Sequence, residues 1–231
     1  MKPCPCLATI FLFLVLLALT SIVEADDAKT QSDNKRLRVI VTSDFPPIGV
    51  VKGGNVPNTM KSDPDDMQSM VRFLLYACDF QVEGLCTGLG WGHDRDTRPE
   101  LIRERVKAYG KIVDNLRKHR PDYPSEQALL ALIKDGRDVD KHEVGPGKDS
   151  EASDWIVKVL ERDDPRPVWF GIWGGPRELA QAIWKISQTR SADEAQRLKA
   201  KIRVHSIADQ DNTARWVKEH HPDVFWICLL Y

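Results

Sequence analysis

The sequence predicts an α/β fold with a mostly parallel sheet and helices on both faces. Three observations predict it. Short apolar runs rich in β-branched residues recur along the chain and read as buried strands. Segments with a 3.6-residue apolar period lie between them. The two kinds alternate from Leu37 onward, the rhythm of a parallel sheet covered on both sides. No internal repeat is present.

Each element has its own signal. Leu37-Arg38-Val39-Ile40-Val41-Thr42 is the first strand, with Ser43-Asp44 at its C-terminal end. Asp63 reads as an N-cap, Pro64 as the first helical residue, and Asp65 and Asp66 as first-turn acids. The helix behind them carries Met67, Met70, Val71, Leu74 and Leu75 on one stripe. Phe80–Cys86 is a second strand. Pro99–His119 is a long helix with Leu101, Ile102, Val106, Tyr109, Val113 and Leu116 inward. Ser125–Lys134 is a shorter helix capped by Ser125, and Ser150–Arg162 is another. Pro167–Trp173 is a central strand, followed by a helix over Pro176–Gln188 and a surface helix over Ser191–Lys199. Ile202–Ile207 is a strand, Thr213–Glu219 a helix and Val224–Leu229 a closing strand. Three loops interrupt the pattern, over 45–60, 88–98 and 136–149. Long ordered loops are often functional. The first two follow strands and are expected to overhang the edge that carries Asp44.

The N-terminus reads as a signal peptide over residues 1–25. Lys2 is its positive start, Leu7–Leu19 its apolar run and Val23-Glu24-Ala25 its cleavage site. The alternative is an uncleaved anchor, but the run falls short of the roughly 18 residues that spanning needs. The expectation is a secreted or periplasmic protein without a stable membrane anchor. A polar lead-in over 26–36 precedes one domain over 37–231. The formal net charge is −1 and survives cleavage, because Lys2 and Glu24 leave together. That balance gives no electrostatic footprint for nucleic acid. Cys78, Cys86 and Cys228 remain after cleavage, an odd number in apolar segments. They read as buried free thiols rather than a disulfide framework. No zinc spacing is present, and Gly174-Gly175-Pro176 lacks the spacing and lysine of a phosphate-cradling loop. The sequence carries no signal of oligomeric state.

The chemistry concentrates at Asp44, Asp65 and Asp66. A strand end and a helix start bring these carboxylates towards one crevice, at the sheet edge where such folds bind ligands. Two readings fit. First-turn acids favour the helix dipole by roughly 0.3–1 kcal/mol each, but that leaves Asp44 unexplained. Packed anions repel unless a proton or cation sits among them, and a hard cation with oxygen ligands, calcium above all, resolves the conflict. His93-Asp94-Arg95 reads either as a solvated loop or as a site where His93 protonates a leaving group. Trp91 is a candidate to stack on a sugar or base. Lys148-Asp149-Ser150 reads as a helix cap or, through Asp149, as a ligand contact. Asp209-Gln210-Asp211, at another strand end, has the same two readings. The tryptophans of periodic segments, Trp155, Trp169, Trp173, Trp184, Trp216 and Trp226, read as core.

The strings VIVTSDFPP (39–47) and SDPDDMQSMVRFLLYACDFQVEGL (62–85) resemble the nucleoside hydrolase-like domain family. So do GKDSEASDWIVKVLERDDPRPVWFGIWGGPRELAQAIWKISQTRS (147–191) and IRVHSIADQDNTARWV (202–217). That family is catalogued largely as a domain of unknown function and includes proteins labelled cellulose-binding. The resemblance spans nearly all of 37–231 and implies a nucleoside hydrolase-like, Rossmann-like fold. It also implies a Ca2+ site formed by Asp44, Asp65 and Asp66, with the backbone carbonyl of Gly174 beside them. The implied reaction is hydrolysis of an N-glycosidic or related glycosidic bond. Asp44 is then the general base for a metal-activated water. Apart from the resemblance, Trp91, His93 and Asp149 are the residues read as candidates to contact a small-molecule nucleoside or glycoside.

Three features depart from the family pattern. The insertion between Asp44 and Asp65 is long. Gly90-Trp91-Gly92-His93 stands where true hydrolases place an asparagine. Longer relatives carry a further aspartate beyond the position of Tyr231, so the expectation is a domain incomplete at its C-terminus and short of one metal ligand. The rival functional readings are a non-catalytic exported carbohydrate-binding protein and an inactive truncated copy.

Overall fold

The computed structural model describes residues 36–44, 65–90, 97–137 and 144–229. The chain divides into two units, Met1–Arg36 and Leu37–Tyr231. Of the first only Arg36 is described, so the signal peptide and lead-in expected from the sequence lie outside the described residues. No helix among the described residues is long and apolar enough to cross a membrane.

Six strands form one sheet. They are β1 (Leu37–Ser43), β2 (Phe80–Thr87), β3 (Ile133–Lys134), β4 (Val168–Ile172), β5 (Ile202–Ser206) and β6 (Phe225–Cys228). Every pairing is parallel and the order is β3-β2-β1-β4-β5-β6. The expected α/β fold is therefore present, with a wholly parallel sheet. The helices among the described residues are α1 (Asp65–Leu75), α2 (Pro99–Gly110), α3 (Val113–Arg117), α4 (Glu126–Ala131), α5 (Glu151–Glu161), α6 (Arg177–Thr189), α7 (Ala192–Lys199) and α8 (Thr213–His220).

Two apolar cores sandwich the sheet, as a buried parallel sheet requires. Val39, Val41 and Leu85 pack with Met70 and Leu74 of α1, Leu101, Ile102 and Val106 of α2 and Leu129 of α4. Ile40, Phe170, Ile172 and Val204 pack on the other face with Ile156 and Leu160 of α5 and Leu179 and Ile183 of α6. Leu198 of α7 and Val217 of α8 join the second core. Alternate residues of β1 thus serve both cores, which is why its whole run after Leu37 is buried.

Chain order sets the site. From β1 the chain builds outward through β2 to β3, then returns to β4 beside β1 and builds the other way. The order reverses between β1 and β4, and ligands of such sheets bind in the crevice outside the strand ends at that point.

Several elements differ from the sequence expectation. The long helix over 99–119 is two, because α2 stops at Gly110. The turns there tighten, with Lys111 N–H donating to Ala108 O at 3.2 Å and Ile112 N–H to Tyr109 O at 3.0 Å. The helix expected to Lys134 ends at Ala131, and Ile133–Lys134 pairs with Leu85–Cys86 as β3. On α1, Val71 and Leu75 are exposed, and the buried line runs Asp66, Met70, Leu74. Asp63 and Pro64, read as cap and first turn, lie outside the described residues. Ser125 and Ser150 each cap a helix as expected, Ser191 caps α7, and Ser150 does so in a capping box with Ser153. The six tryptophans read as core are half-buried. Cys78 and Cys86 are buried free thiols, and Cys228 is free and half-buried.

Candidate functional site

The crevice is built from the ends of β1, β2, β4 and β5. Asp44 follows β1, and Asp66 opens α1 on the far side of the 45–64 segment. Ser43 Oγ donates to Asp66 Oδ2 at 2.6 Å, and the Asp44 N–H donates to the same oxygen at 3.1 Å. Asp66 is thereby fixed to the strand tip, and it is buried. Asp65 turns back on its neighbour, accepting the Asp66 N–H on Oδ1 at 2.9 Å.

Asp44 is half-buried, with its carboxyl against that of Asp66. Burial pushes it well above the ordinary carboxylate range, and the Asp66 charge adds to this, as does a hydrogen bond with Asp66. Its own backbone N–H works the other way, and Asp65 adds a weaker upward push. Two carboxyls in contact cannot both ionise comfortably unless a proton or a cation lies between them. The sequence expectation of acids meeting at the β1 tip is therefore met by Asp44 and Asp66, with Asp65 contributing mainly charge. Among the described residues no group of three or more His, Cys, Asp or Glu side chains is arranged to hold a metal ion.

Glycines hold Asp44 in place. A Cβ on Gly174 would lie 2.6 Å from Asp44 Cβ, Cγ and Oδ1, and one on Gly90 would lie 1.7 Å from Asp44 Oδ2. At Gly174 only a bare Cα fits unless the β1 tip moves, whereas at Gly90 a side chain would have to push aside the ends of Asp44 and Gln210. Gly174 thus stands beside Asp44, as expected. The loops are tied by backbone bonds: Gly88 N–H to Ser43 O at 2.9 Å, Trp173 N–H to Thr42 O at 3.0 Å and Gly175 N–H to Leu89 O at 2.8 Å.

The β5 end supplies the fourth wall. Asp209 and Asp211 cap. Asp209 accepts the N–H groups of Ala214 and Arg215, both at 3.0 Å. Asp211 is fully buried and bridges two helix starts. It accepts Arg177 N–H at 3.0 Å and Thr213 N–H at 2.9 Å. Burial raises its carboxyl to about 6 against the pull of those donors. Gln210, between them, faces Gly90 instead of a helix. Its position after a strand end was the one signal in the sequence.

Asp149 is drawn to α6. Gln181 Nε2 donates to its Oδ1 at 2.7 Å and Lys185 Nζ to its Oδ2 at 2.8 Å. Partial burial opposes the effect, but these donors hold its carboxyl below the usual range. Next to it, the buried pair Arg177–Glu178 (2.8 Å) takes Ser150 Oγ on Glu178 and the Lys148 carbonyl on Arg177. Trp91 and His93 lie outside the described residues.

The family model described as cellulose-binding Sde182, nucleoside hydrolase-like domain, matches residues 56–231. Among solved structures, one similar to this chain is that of a nucleoside hydrolase-related hypothetical protein from Saccharophagus degradans that is associated with carbohydrate metabolism. It is 35% identical with a TM-score of 0.72, and the match covers 84% of this chain and 44% of that one. The chain therefore spans less than half the length of that relative. No curated protein sequence matches.

Proposed function

Since the chain belongs to the Sde182-type family of nucleoside hydrolase-like domains, we propose that it is a calcium-dependent hydrolase of N-glycosidic or related glycosidic bonds. The observation that carries this reading is the meeting of Asp44 and Asp66 at the chain-reversal point of the sheet, where Ser43 Oγ and the Asp44 N–H both donate to Asp66 Oδ2. The donor chemistry suits a hard cation. Asp44 and Asp66 bring anionic oxygens together, Asp65 adds charge, and the Gly174 backbone lies against Asp44. When bound, calcium would supply charge that lowers the pKa of a coordinated water.

The chain's own groups do the rest. Asp44 is the proton acceptor; its raised proton affinity belongs to the metal-free acid pair, and a bound cation would draw it back towards the ionised form that accepts a proton. Gly90 and Gly174 fix where its two oxygens lie. Ser43 and the Asp44 N–H keep Asp66 from swinging away. Trp91 and His93, which follow β2 in sequence, and Asp149, held by α6, are the proposed substrate contacts. The substrate class is a small nucleoside or glycoside rather than nucleic acid, met outside the cell after cleavage of residues 1–25.

A second reading has its own support. The family description is cellulose-binding and the solved relative is associated with carbohydrate metabolism. A retained pocket that binds sugar without turnover fits both. Thermal melting with calcium, followed by sugar release from a nucleoside and aryl-glycoside panel, separates the readings. The enzyme reading expects a calcium-dependent rise in Tm, sugar release, and loss of both in Asp44→Asn. A flat Tm at millimolar calcium sinks the metal. A rise with no release, together with retention on cellulose, selects the binder.

A further inference from the structure

Gln210 stands between two capping aspartates at the β5 end and turns its amide into the crevice. Its amide orientation is fixed by chemistry. Nε2 lies 2.8 Å from the Trp173 carbonyl oxygen, which can only accept, so the NH2 group must point there. The carbonyl oxygen Oε1 then points the other way, towards Gly90. A Cβ on that glycine would lie 2.5 Å from Gln210 Oε1 and 1.7 Å from Asp44 Oδ2. Both oxygens therefore lie over the same Cα, which places the Gln210 amide oxygen beside the Asp44 carboxylate.

We infer that Gln210 is an oxygen ligand of the cation at Asp44 and Asp66, delivered from the β5 end across the crevice; this rests on the calcium reading above. Calcium takes roughly six to eight oxygens, and the carboxylates supply only part of that shell. In the metal-free protein a further carboxylate would add repulsion to a pair of acids already in contact. A neutral amide oxygen completes the shell without adding charge. The anchor on Trp173 also pre-sets the rotamer, so little side-chain entropy is lost when the ion arrives.

The test is calcium titration of the whole chain by calorimetry, with metal-free thermal melts as the folding control. Wild type, Gln210→Ala, Gln210→Glu and Asp44→Asn are compared. The expected result is wild-type binding, a loss of about tenfold or more in Gln210→Ala, and retained or tighter binding in Gln210→Glu. Glutamate keeps the oxygen but loses the donor to Trp173, so this variant separates ligation from loop support. If Gln210→Glu binds as weakly as Gln210→Ala, the residue only holds Trp173 and the inference is overturned. If Gln210→Ala binds like wild type while Asp44→Asn does not, the calcium reading stands without Gln210. If wild type takes no calcium, both fall together.

Discussion

Replacing Gly174 by alanine puts a methyl group 2.6 Å from Asp44 Cβ, Cγ and Oδ1. Because Asp44 Cβ itself is struck, turning the carboxylate brings no relief. Either the β1 tip or the turn after β4 must move. Forced overpacking of this kind costs about 1–3 kcal/mol, and here it also displaces the carboxyl paired with Asp66. Gly110 offers a control. Its methyl group would fall closer still, 1.9 Å from Glu126 Oε2, but every atom met belongs to one half-exposed, flexible side chain. Gly110 closes α2, so alanine there removes a helix penalty of up to about 1 kcal/mol. Urea unfolding of the two variants, each with and without calcium, makes the comparison. Gly174→Ala should lose about 1–3 kcal/mol and its calcium response, whereas Gly110→Ala should be neutral or stabilised with the response intact. A Gly174→Ala variant as stable and as calcium-responsive as wild type would show that no glycine cradle holds Asp44.

Other outcomes follow from the same geometry. The Asp211 carboxyl stands at about 6 in the folded chain against an ordinary 3.8. Its neutral form is thus favoured on folding. Stability is full below the unfolded value and falls by on the order of 3 kcal/mol as pH rises to about 6 and beyond. Asp211→Asn should show a constant offset from its altered caps but lack this slope between pH 4 and 7 in urea midpoints; parallel curves would count against it. Glu83 lies in the core with Arg38 Nε at 2.7 Å and also pairs with Arg162, so Glu83→Ala should cost about 3 kcal/mol, the low end for a broken buried pair, because Asp164 Oδ2 stays 3.5 Å from Arg38 Nε. Restored stability in Arg38→Met with Glu83→Leu would confirm that cause. Asp149→Asn trims a partly exposed pair with Lys185 and should change stability by under about 1 kcal/mol. Its calcium affinity, read by the same calorimetry, should match wild type.

The strands that carry the fold were readable from their apolar residues: β4 is an unbroken apolar run and β1 holds one in Val39–Val41, while β2 breaks its run with Gln81 and Glu83 and β5 alternates Arg203 and His205 with buried residues. β3 was hidden: two residues continue the apolar rhythm of α4, and only pairing with Leu85 and Cys86 makes them strand. The break after Gly110 was available in the sequence as a glycine, yet the inward line of Val106, Tyr109 and Val113 reads as continuous. At the site, the meeting of Asp44 and Asp66 could be read from a strand end and a helix start. The glycine cradle could not, since Gly90 and Gly174 are far from Asp44 in sequence and each is required only because of its place against that side chain. For Asp149, local spacing gave two choices, and Lys185 and Gln181 supply contacts from another helix that spacing alone does not reveal.

The contrast among the acids bears on why this crevice exists. The chain has 33 Lys and Arg against 34 Asp and Glu, enough to pair most carboxylates. Elsewhere it does so. Arg166 holds Asp164 down to about 2, and Lys185 holds Asp149 below its usual range. At the chain-reversal point the trend inverts: Asp44 is driven up by burial and by a second acid. Stability alone favours a lysine or arginine beside such a pair, or an asparagine in place of one member. A strained acid pair, held by a serine hydroxyl and cradled by glycines, is the arrangement expected where ligand binding rather than folding sets the residues. Its cost should therefore be visible in the apo protein: Asp44→Asn ought to raise metal-free stability at neutral pH while it abolishes the calcium response. A variant that loses stability as well would mean that the pair is structural.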